Sequence, residues 1–210
     1  MNQEKGKQHS RTEQKTLYMF DMGNVIIKNI DTSDAIIDYY NLSKQEFLAD
    51  IAAYEYPLME GVLSSQQYWQ HVEHKFNITI EGDPLADFFN PTWNRPVKEL
   101  VERLRNEGKR VICASNTVES HYQTLMNFGY FSLFEKVYAS FAMGLTKPSR
   151  QFFEFILEKE EVEAHQVCFV DDLLENVLTA QTLGIATFHY APTDNYETDE
   201  RLKVFLLGSS

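Results

Sequence analysis

The stretch LYMFDMGNV, residues 17–25, sets an apolar run directly against a carboxylate. Residues 17–20 have the length and composition of a short buried strand, and Asp21 stands immediately after it. In open α/β sheets, ligands bind beyond the carboxyl ends of the strands. The stretch therefore predicts a first strand that delivers Asp21 to a ligand site.

Downstream of this stretch, strand and helix patterns alternate. Four further apolar runs predict strands, at residues 111–115, 136–140, 167–170 and 185–190. Helical patterns lie between them, at residues 96–107, 118–128, from about 149, and at about 174–183. Five strands joined by helical crossovers predict an α/β core, a doubly wound (Rossmann-like) parallel sheet.

Residues 31–90 interrupt the alternation and show only helical patterns. Ser43 with Glu46, and Ser64 with Gln67, have capping-box spacing, and Ser33 is a further candidate cap. Residues 84–89 suggest a fourth helix. We therefore expect a helical cap domain over residues 31–90, inserted into a core of residues 17–30 and 91–210. Residues 1–16 are polar throughout and predict a disordered tail.

Composition excludes several classes of partner. The 210-residue chain has 19 basic and 31 acidic residues, a net charge of −12, which repels nucleic acids and anionic membranes. Neither a signal peptide nor an apolar stretch of membrane-helix length is visible. Cys113 and Cys168 each lie inside an apolar run, which predicts buried, reduced thiols and a cytoplasmic location.

Four predicted strands are followed by groups that carry chemistry. These are Asp21 after the first, Ser115-Asn116-Thr117 after the second, Lys147-Pro148 beyond the third, and Asp171-Asp172 with Asn176 after the fourth. Each alone has the character of a helix cap. Together they bring three carboxylates, a hydroxyl and a cation to one edge of the sheet.

This set of groups suits phosphoryl transfer. Clustered carboxylates stay ionised only beside a cation, and hard oxygen ligands favour Mg²⁺. Ser115 and Lys147 can hold phosphate oxygens while Asp21 attacks phosphorus and forms an aspartyl phosphate. The sequence thus predicts a Mg²⁺-dependent phosphatase for a small phosphorylated metabolite.

At these residues the chain resembles the haloacid dehalogenase superfamily. The four motifs of that superfamily correspond to FDMGNV (20–25), ASNT (114–117), TKPS (146–149) and FVDDLLEN (169–176). The resemblance implies that Asp21 is the nucleophile and that Lys147 is catalytic, with Ser115, Asn116 and Lys147 at the phosphate. It further implies Mg²⁺ ligands from Asp21, the Gly23 carbonyl and Asp172, with Asp171 acting directly or through water. The helical insert corresponds to the mobile cap.

Gly23 departs from this resemblance, because most phosphatases of the superfamily have an aspartate there as general acid and base. Three interpretations follow. The substrate has a good leaving group, as in the bacterial sugar-1-phosphate phosphatases whose glycine–asparagine first motif is similar. Alternatively, water, Asn24 or a cap residue supplies the proton. In the third, the chain is a weakened hydrolase or a binding protein of the same fold.

The sequence also suggests another activity and another metal site, and it supports both less well. A 2-haloacid dehalogenase-type hydrolase would share the fold, but the acidic pair Asp171-Asp172 argues against it. His71 and His74 have the spacing of metal ligands on one helix face, although no third ligand accompanies them, and a solvated face is the better account. His121 follows Ser115 closely and could face the site, but a position on the helix surface is the preferred expectation.

Overall fold

The computed structural model describes residues 15–191 and 196–208, so the tail expected over residues 1–16 lies mostly outside the described residues. The strands are β1 (Leu17–Phe20), β2 (Ile27–Lys28), β3 (Thr92–Trp93), β4 (Arg110–Ser115), β5 (Lys136–Ala139), β6 (Val167–Asp171) and β7 (Ala186–His189). The helices are α1 (Ser33–Tyr40), α2 (Lys44–Met59), α3 (Ser65–Phe76), α4 (Pro84–Asp87), α5 (Arg95–Asn106), α6 (Glu119–Asn127), α7 (Ser140–Met143), α8 (Arg150–Glu160), α9 (Leu174–Thr182) and α10 (Tyr196–Leu207).

Five strands form one parallel sheet in the order β5-β4-β1-β6-β7, which confirms the predicted fold class. Phe20 at the end of β1 is in register with Cys113 of β4 and Val170 of β6. Because all three strands run the same way, their carboxyl ends meet at one edge. That edge receives Asp21, Ser115 and Asp171.

Both faces of the sheet are buried, as expected for parallel strands joined by helices. Along β1, Tyr18 and Phe20 belong to the apolar cluster that includes residues of α5 and α10. Leu17 and Met19 belong to the opposite cluster, with residues of α8 and α9. This two-residue alternation is the pleat of the strand, and it fixes the central strand between two layers of helix.

Helices α1 to α4 lie between β2 and β3 and bury an apolar cluster of their own, built around Ile36, Phe47, Tyr68 and Trp69. The capping box predicted at Ser64 forms, with Ser64 and Gln67 bonded reciprocally. Ser43 is the N-cap residue of α2, as predicted, although its side chain makes no capping bond among the described residues. The predicted cap at Ser33 is wrong, because Ser33 is the first residue of α1, its N–H held by the Asp31 carboxylate at 2.8 Å.

A two-stranded antiparallel ribbon joins the chain where it leaves for these helices and where it returns. Ile27 of β2 pairs with Trp93 of β3, and the Asn29 amide donates to the Asn90 carbonyl at 2.7 Å. The sequence did not predict the ribbon, because two-residue strands carry no readable alternation. Both linkers are therefore tied together at the base of the helical segment.

Two composition-based expectations concern the interior. Cys113 and Cys168 are both free and buried, as predicted. Across residues 15–191 and 196–208, no helix combines the length and apolarity needed to cross a membrane.

Candidate active site

Lys147 lies between two carboxylates at the edge of the sheet. Its Nζ is 2.6 Å from Oδ1 of Asp21 and 2.7 Å from Oδ2 of Asp171. Asp21 follows β1 and its N–H donates to the Val170 carbonyl on β6, whereas Asp171 is the last residue of β6. The structure thus brings together residues that are 126 and 24 positions apart in the chain.

Burial and charge oppose each other in this cluster. Burial would lower the pKa of the Lys147 ammonium, but Asp171 and Asp21 outweigh it and hold that pKa above its usual range. Burial raises the pKa of the Asp21 carboxyl, against the opposing effect of Lys147. Burial also raises the pKa of Asp172, while a hydrogen bond from Asn24 opposes this rise. A second cation would favour the ionised form of both carboxylates.

Asp171 and Asp172 differ in how far their oxygens are already engaged. Asp171 is fully buried, and its Oδ1 accepts from the Leu173 N–H at 2.8 Å and from the Asn176 amide at 2.9 Å. Its other oxygen faces Lys147. Asp172 lines the open cavity beside Asp21, and the Asn24 amide donates to its Oδ2 at 2.9 Å. The free coordination capacity therefore lies on Asp172 more than on Asp171.

These oxygens fit a hard divalent cation. One carboxylate oxygen from each of Asp21, Asp171 and Asp172 lies within 4.8 Å of the others. The Gly23 carbonyl accepts from the Val25 N–H at 2.7 Å and retains a second lone pair. Oδ1 of Asn176 is buried and has no hydrogen-bond partner among the described residues. A donor set made of oxygen alone is the chemistry that Mg²⁺ prefers.

Ser115 and Asn116 are differently placed. Ser115 ends β4, is buried, and its hydroxyl makes only a long contact of 3.3 Å with the Asn116 carbonyl. The Asn116 side chain clamps the backbone of Lys147, donating to its carbonyl and accepting from its N–H, both at 2.8 Å. Asn116 thus positions Lys147, and the Ser115 hydroxyl is the freer of the two groups.

Two cavities meet at this edge. The first, here the acidic cavity, measures about 380 Å³ and is lined by Asp21, Lys147 and Asp172 among others. The second, the apolar cavity, measures about 410 Å³ and is lined mainly by aliphatic and aromatic side chains of the core and the helical segment. Five residues line both cavities: Gly23, Ile30, Glu55, Met59 and Asn116.

The absence of a side chain at Gly23 leaves room for Ile30. A Cβ at this position would lie 2.9 Å from Cδ1 of Ile30, closer than two carbons can approach. Backbone conformation is not the reason for the glycine, because the left-handed residue of this turn is Asn24, with φ of 55°. The space that an acidic side chain at position 23 would occupy is therefore filled by the aliphatic side chain of Ile30.

The histidines have roles that the sequence did not assign. His71 Nε2 lies 2.9 Å from the Asp50 carboxylate, which ties α3 to α2. His121 was expected on a helix surface, and that prediction is wrong. Its ring stacks on Phe89, with centroids 4.0 Å apart, and lines the apolar cavity. The helical pattern located α6 but did not show which of its faces meets the neighbouring segment.

Sequence reasoning also missed Glu55 and Ile30. Glu55 lies on α2, whose apolar pattern carries no sign that this carboxylate reaches the junction of the two cavities. A helical wheel identifies residues that share a face, but docking of the helix decides what that face covers. Asn24 was visible within the first motif, and its bond to Asp172 was not.

Comparisons with known proteins bear on the family and the fold. A family model described as a haloacid dehalogenase-like hydrolase matches residues 16–184. A D-ribitol-5-phosphate phosphatase of Bacteroides thetaiotaomicron is 32% identical over 202 residues, covering 90% of this chain and 97% of the relative. A sesquiterpene phosphatase of Aspergillus oryzae is 28% identical over 203 residues, covering 88% and 93% respectively.

Among solved structures, a haloacid dehalogenase-family enzyme from B. thetaiotaomicron in complex with magnesium and inorganic phosphate has a TM-score of 0.75. It is 19% identical in sequence, and the match covers 86% of this chain and 96% of that one. At that identity the likeness shows a shared fold.

Proposed function

Because the chain belongs to the haloacid dehalogenase-like hydrolase family, we propose that it is a magnesium-dependent phosphatase that cleaves small phosphate monoesters through an aspartyl phosphate. One observation carries the proposal. A buried ammonium, Lys147, bridges Asp21 and Asp171 at the floor of a cavity that Asp172 also lines. Such a constellation offers a nucleophile, a phosphate-binding cation and metal ligands within a single site.

In the first half of the reaction, an oxygen of Asp21 attacks phosphorus and the bond to the ester oxygen breaks. Lys147 and the Ser115 hydroxyl bind phosphate oxygens and stabilise their developing charge. Asp21, Asp172 and the Gly23 carbonyl would hold Mg²⁺, which would supply positive charge to neutralise and orient the phosphate. Asp171 acts by positioning Lys147, since both of its oxygens are already engaged.

The proton for the leaving oxygen comes from Glu55. With the phosphate beside Asp21 in the acidic cavity and the alcohol directed into the adjoining apolar cavity, the ester oxygen would lie where the two cavities meet. Of the five residues that line both, Glu55 alone has a titratable side chain. The Asn24 amide is held by Asp172 and is no acid. Glu55 donates its proton to the ester oxygen, then takes one from the water that cleaves the aspartyl phosphate.

In this proposal residues 31–90 form a cap over the site, with α2 as the helix that faces it. The chain's net charge of −12 argues against a nucleic acid or an anionic membrane as partner. The free, buried cysteines fit a reducing compartment, and a cytoplasmic location follows. By name, the two relatives act on a polyol phosphate and on a sesquiterpene phosphate, so they leave the class of alcohol open.

The test is phosphate release from a panel of phosphate monoesters, measured with Mg²⁺ and again after its removal with EDTA. The panel spans aryl, alkyl, sugar and polyol phosphates, together with a 2-haloacid. We expect Mg²⁺-dependent release from at least one ester and no halide release. Halide release without metal, or no hydrolysis of any ester, would contradict the proposal.

A further inference from the structure

We propose that the alcohol released by this enzyme is largely apolar, an alkyl or isoprenoid chain, and that it binds in the apolar cavity. This inference rests on the proposed function, because it takes the phosphate to lie beside Asp21. It identifies the class of substrate, which neither the fold nor the site chemistry specifies.

The buried part of the apolar cavity wall is mainly hydrocarbon, with Thr32 and Ser115 as its buried polar residues. It includes Met22 and Ile27 from the segment after β1, Leu85 and Phe89 from the return of the helical segment, and Leu125 from α6. Each of these side chains is less than 7% exposed. A volume of about 410 Å³ is in the range of small-molecule sites, and an apolar ligand gains from burial against such a wall.

Helix α2 closes the cavity with one face. Residues 48, 51, 52, 55, 58 and 59 line it, and their spacing of three and four is that of a single helical stripe. Five of the six are apolar: Leu48, Ile51, Ala52, Leu58 and Met59. The remaining member, Glu55, also lines the acidic cavity, as Met59 does, so both lie at the junction where the ester oxygen is proposed. Polarity along the stripe thus matches a molecule with a phosphate at one end and an apolar chain beyond it.

Polar groups are the minority on the wall. The Asn116 amide is bonded on both sides to the Lys147 backbone, and the Thr117 hydroxyl contacts the Val118 carbonyl. Asp31 is exposed and holds the Ser33 N–H. The hydroxyls of Thr32, Ser33 and Ser115 and the Glu55 carboxylate are free of short hydrogen bonds among the described residues. A sugar or polyol would bury several hydroxyls, each of which needs a partner, and the apolar side chains that make up most of the wall offer none.

His121 does not alter this balance. Its ring lies flat on Phe89, and its Nε2 is buried without a hydrogen-bond partner among the described residues. Burial lowers the pKa of its imidazole to about 4, so the ring is neutral near pH 7. No lysine or arginine lines the cavity within the part of the chain that the structure describes.

The experiment compares ethyl, butyl and octyl phosphate with glycerol 3-phosphate as substrates. The three alkyl esters share similar leaving-group chemistry, so differences in kcat/KM report burial of the chain. We expect kcat/KM to rise by about fourfold for each methylene that enters the cavity, and glycerol 3-phosphate to be a poorer substrate than butyl phosphate. In parallel, calorimetry measures Kd for the matching alkylphosphonates, which bind without turnover and should tighten with chain length.

A matched pair of variants locates the effect. Ala52 lines the cavity and Ala53 does not, although both are exposed neighbours on α2. Ala52→Trp should reduce the octyl-to-ethyl ratio of kcat/KM by about tenfold or more, whereas Ala53→Trp should leave that ratio unchanged.

Each outcome separates this inference from the proposed function. Hydrolysis with no dependence on chain length, or with a preference for glycerol 3-phosphate, overturns the inference and leaves the phosphatase intact. If no ester is hydrolysed, the phosphatase proposal fails. The phosphonates then decide the inference, since affinity that rises with chain length supports an apolar ligand and constant affinity overturns it.

Discussion

The ammonium of Lys147 lies 2.6 Å from the Asp21 carboxylate, and both side chains are buried. A carboxylate in that setting stays ionised only through its partner, because burial favours the protonated acid. The same ammonium is bonded to Asp171, which is itself held by two further donors. The nucleophile is therefore fixed by a chain of contacts that crosses from β1 to β6.

Replacing the nucleophile should abolish turnover. Asp21→Asn keeps the size of the side chain and removes the attacking oxygen's charge, so phosphate release should fall to background. Thermal unfolding of the variant checks that it folds. More than a few per cent of wild-type kcat would mean that another group attacks phosphorus.

Removing the proposed proton donor should affect esters unequally. Glu55→Gln should lower kcat for alkyl phosphates by about 10²–10⁴-fold, the usual contribution of general acid–base catalysis. Aryl phosphates with acidic leaving groups should lose much less, because they need little protonation. Glu46→Gln is the control, since Glu46 is exposed on the same helix and lines neither cavity. Equal losses for both classes of ester would exclude the assignment.

An acid introduced at position 23 should displace the end of the Ile30 side chain. Gly23→Asp alone brings a Cβ to 2.9 Å from Cδ1 of Ile30, the flexible end of that side chain, so the cost is that of a shifted rotamer, about 0.5–1.5 kcal/mol of stability. Ile30→Val removes that methyl, so the double variant should recover most of the lost stability. In a Glu55→Gln background it should also restore alkyl phosphatase activity. Urea unfolding and kcat measure the two effects, with Ile30→Val alone as reference.

Deleting the Asn24 amide should weaken Mg²⁺ binding. The amide donates to Asp172 and so orients it. Loss of a group that supports a metal ligand lowers metal affinity, and we expect Mg²⁺ affinity to fall by about 10–100-fold. Asn24→Gly suits the left-handed backbone, and Asn41→Gly makes the same change at a left-handed residue after α1. Titration of activity with Mg²⁺ gives the apparent Kd. An unchanged Kd in Asn24→Gly would show that the Asn24 amide does not support the proposed metal site.

The buried Asp50 should stabilise the helical segment in a pH-dependent way. It accepts from His71 at 2.9 Å and from Lys75 at 2.6 Å. Burial raises the pKa of Asp50, but these two bonds outweigh it and hold the pKa below its usual value. Asp50→Asn should therefore cost about 1.5–3 kcal/mol at pH 7.

The sign of this dependence follows from the depressed pKa in the folded state. The stabilisation is fully present above the unfolded-state pKa, about 3.9, and is lost as pH falls through the folded-state pKa. Urea unfolding of wild type and variant should therefore give a difference that shrinks below pH 4. The exposed Asp38→Asn serves as control. A difference that is constant from pH 7 to pH 3 would show that the Asp50 charge contributes nothing.

Much of the core was predictable because its strands are recognisable in the sequence. LYMF, VICAS and VCFV are apolar runs of strand length. Each is followed directly by a polar residue, and a polar residue at the end of a buried strand indicates a function. Parallel topology then brings Asp21, Ser115 and Asp171 to one edge. Local pattern and global fold agree at these positions, which is why sequence alone was sufficient there.

Other features depend on docking, which leaves no local pattern. The face of α2 that carries Glu55 is defined only when the helix packs over the strand ends. Ile30, just beyond β2, fills the space beside Gly23, a contact between residues seven apart with no periodicity to reveal it. Ser43 occupies the predicted N-cap position of α2 but makes no side-chain capping bond among the described residues, since spacing alone does not fix the direction of a side chain.

The ribbon of β2 and β3 makes the helical segment a closed excursion, because the chain departs and returns through paired strands joined by Asn29 and Asn90. A helical segment joined in this way is exchangeable, and a different segment could be grafted onto the same ribbon without disturbing the strand ends. The lysine and carboxylates that handle phosphate would stay behind. Glu55 and the apolar stripe lie on the same helix, so exchanging the segment would change the proton donor and the surface that binds the alcohol together.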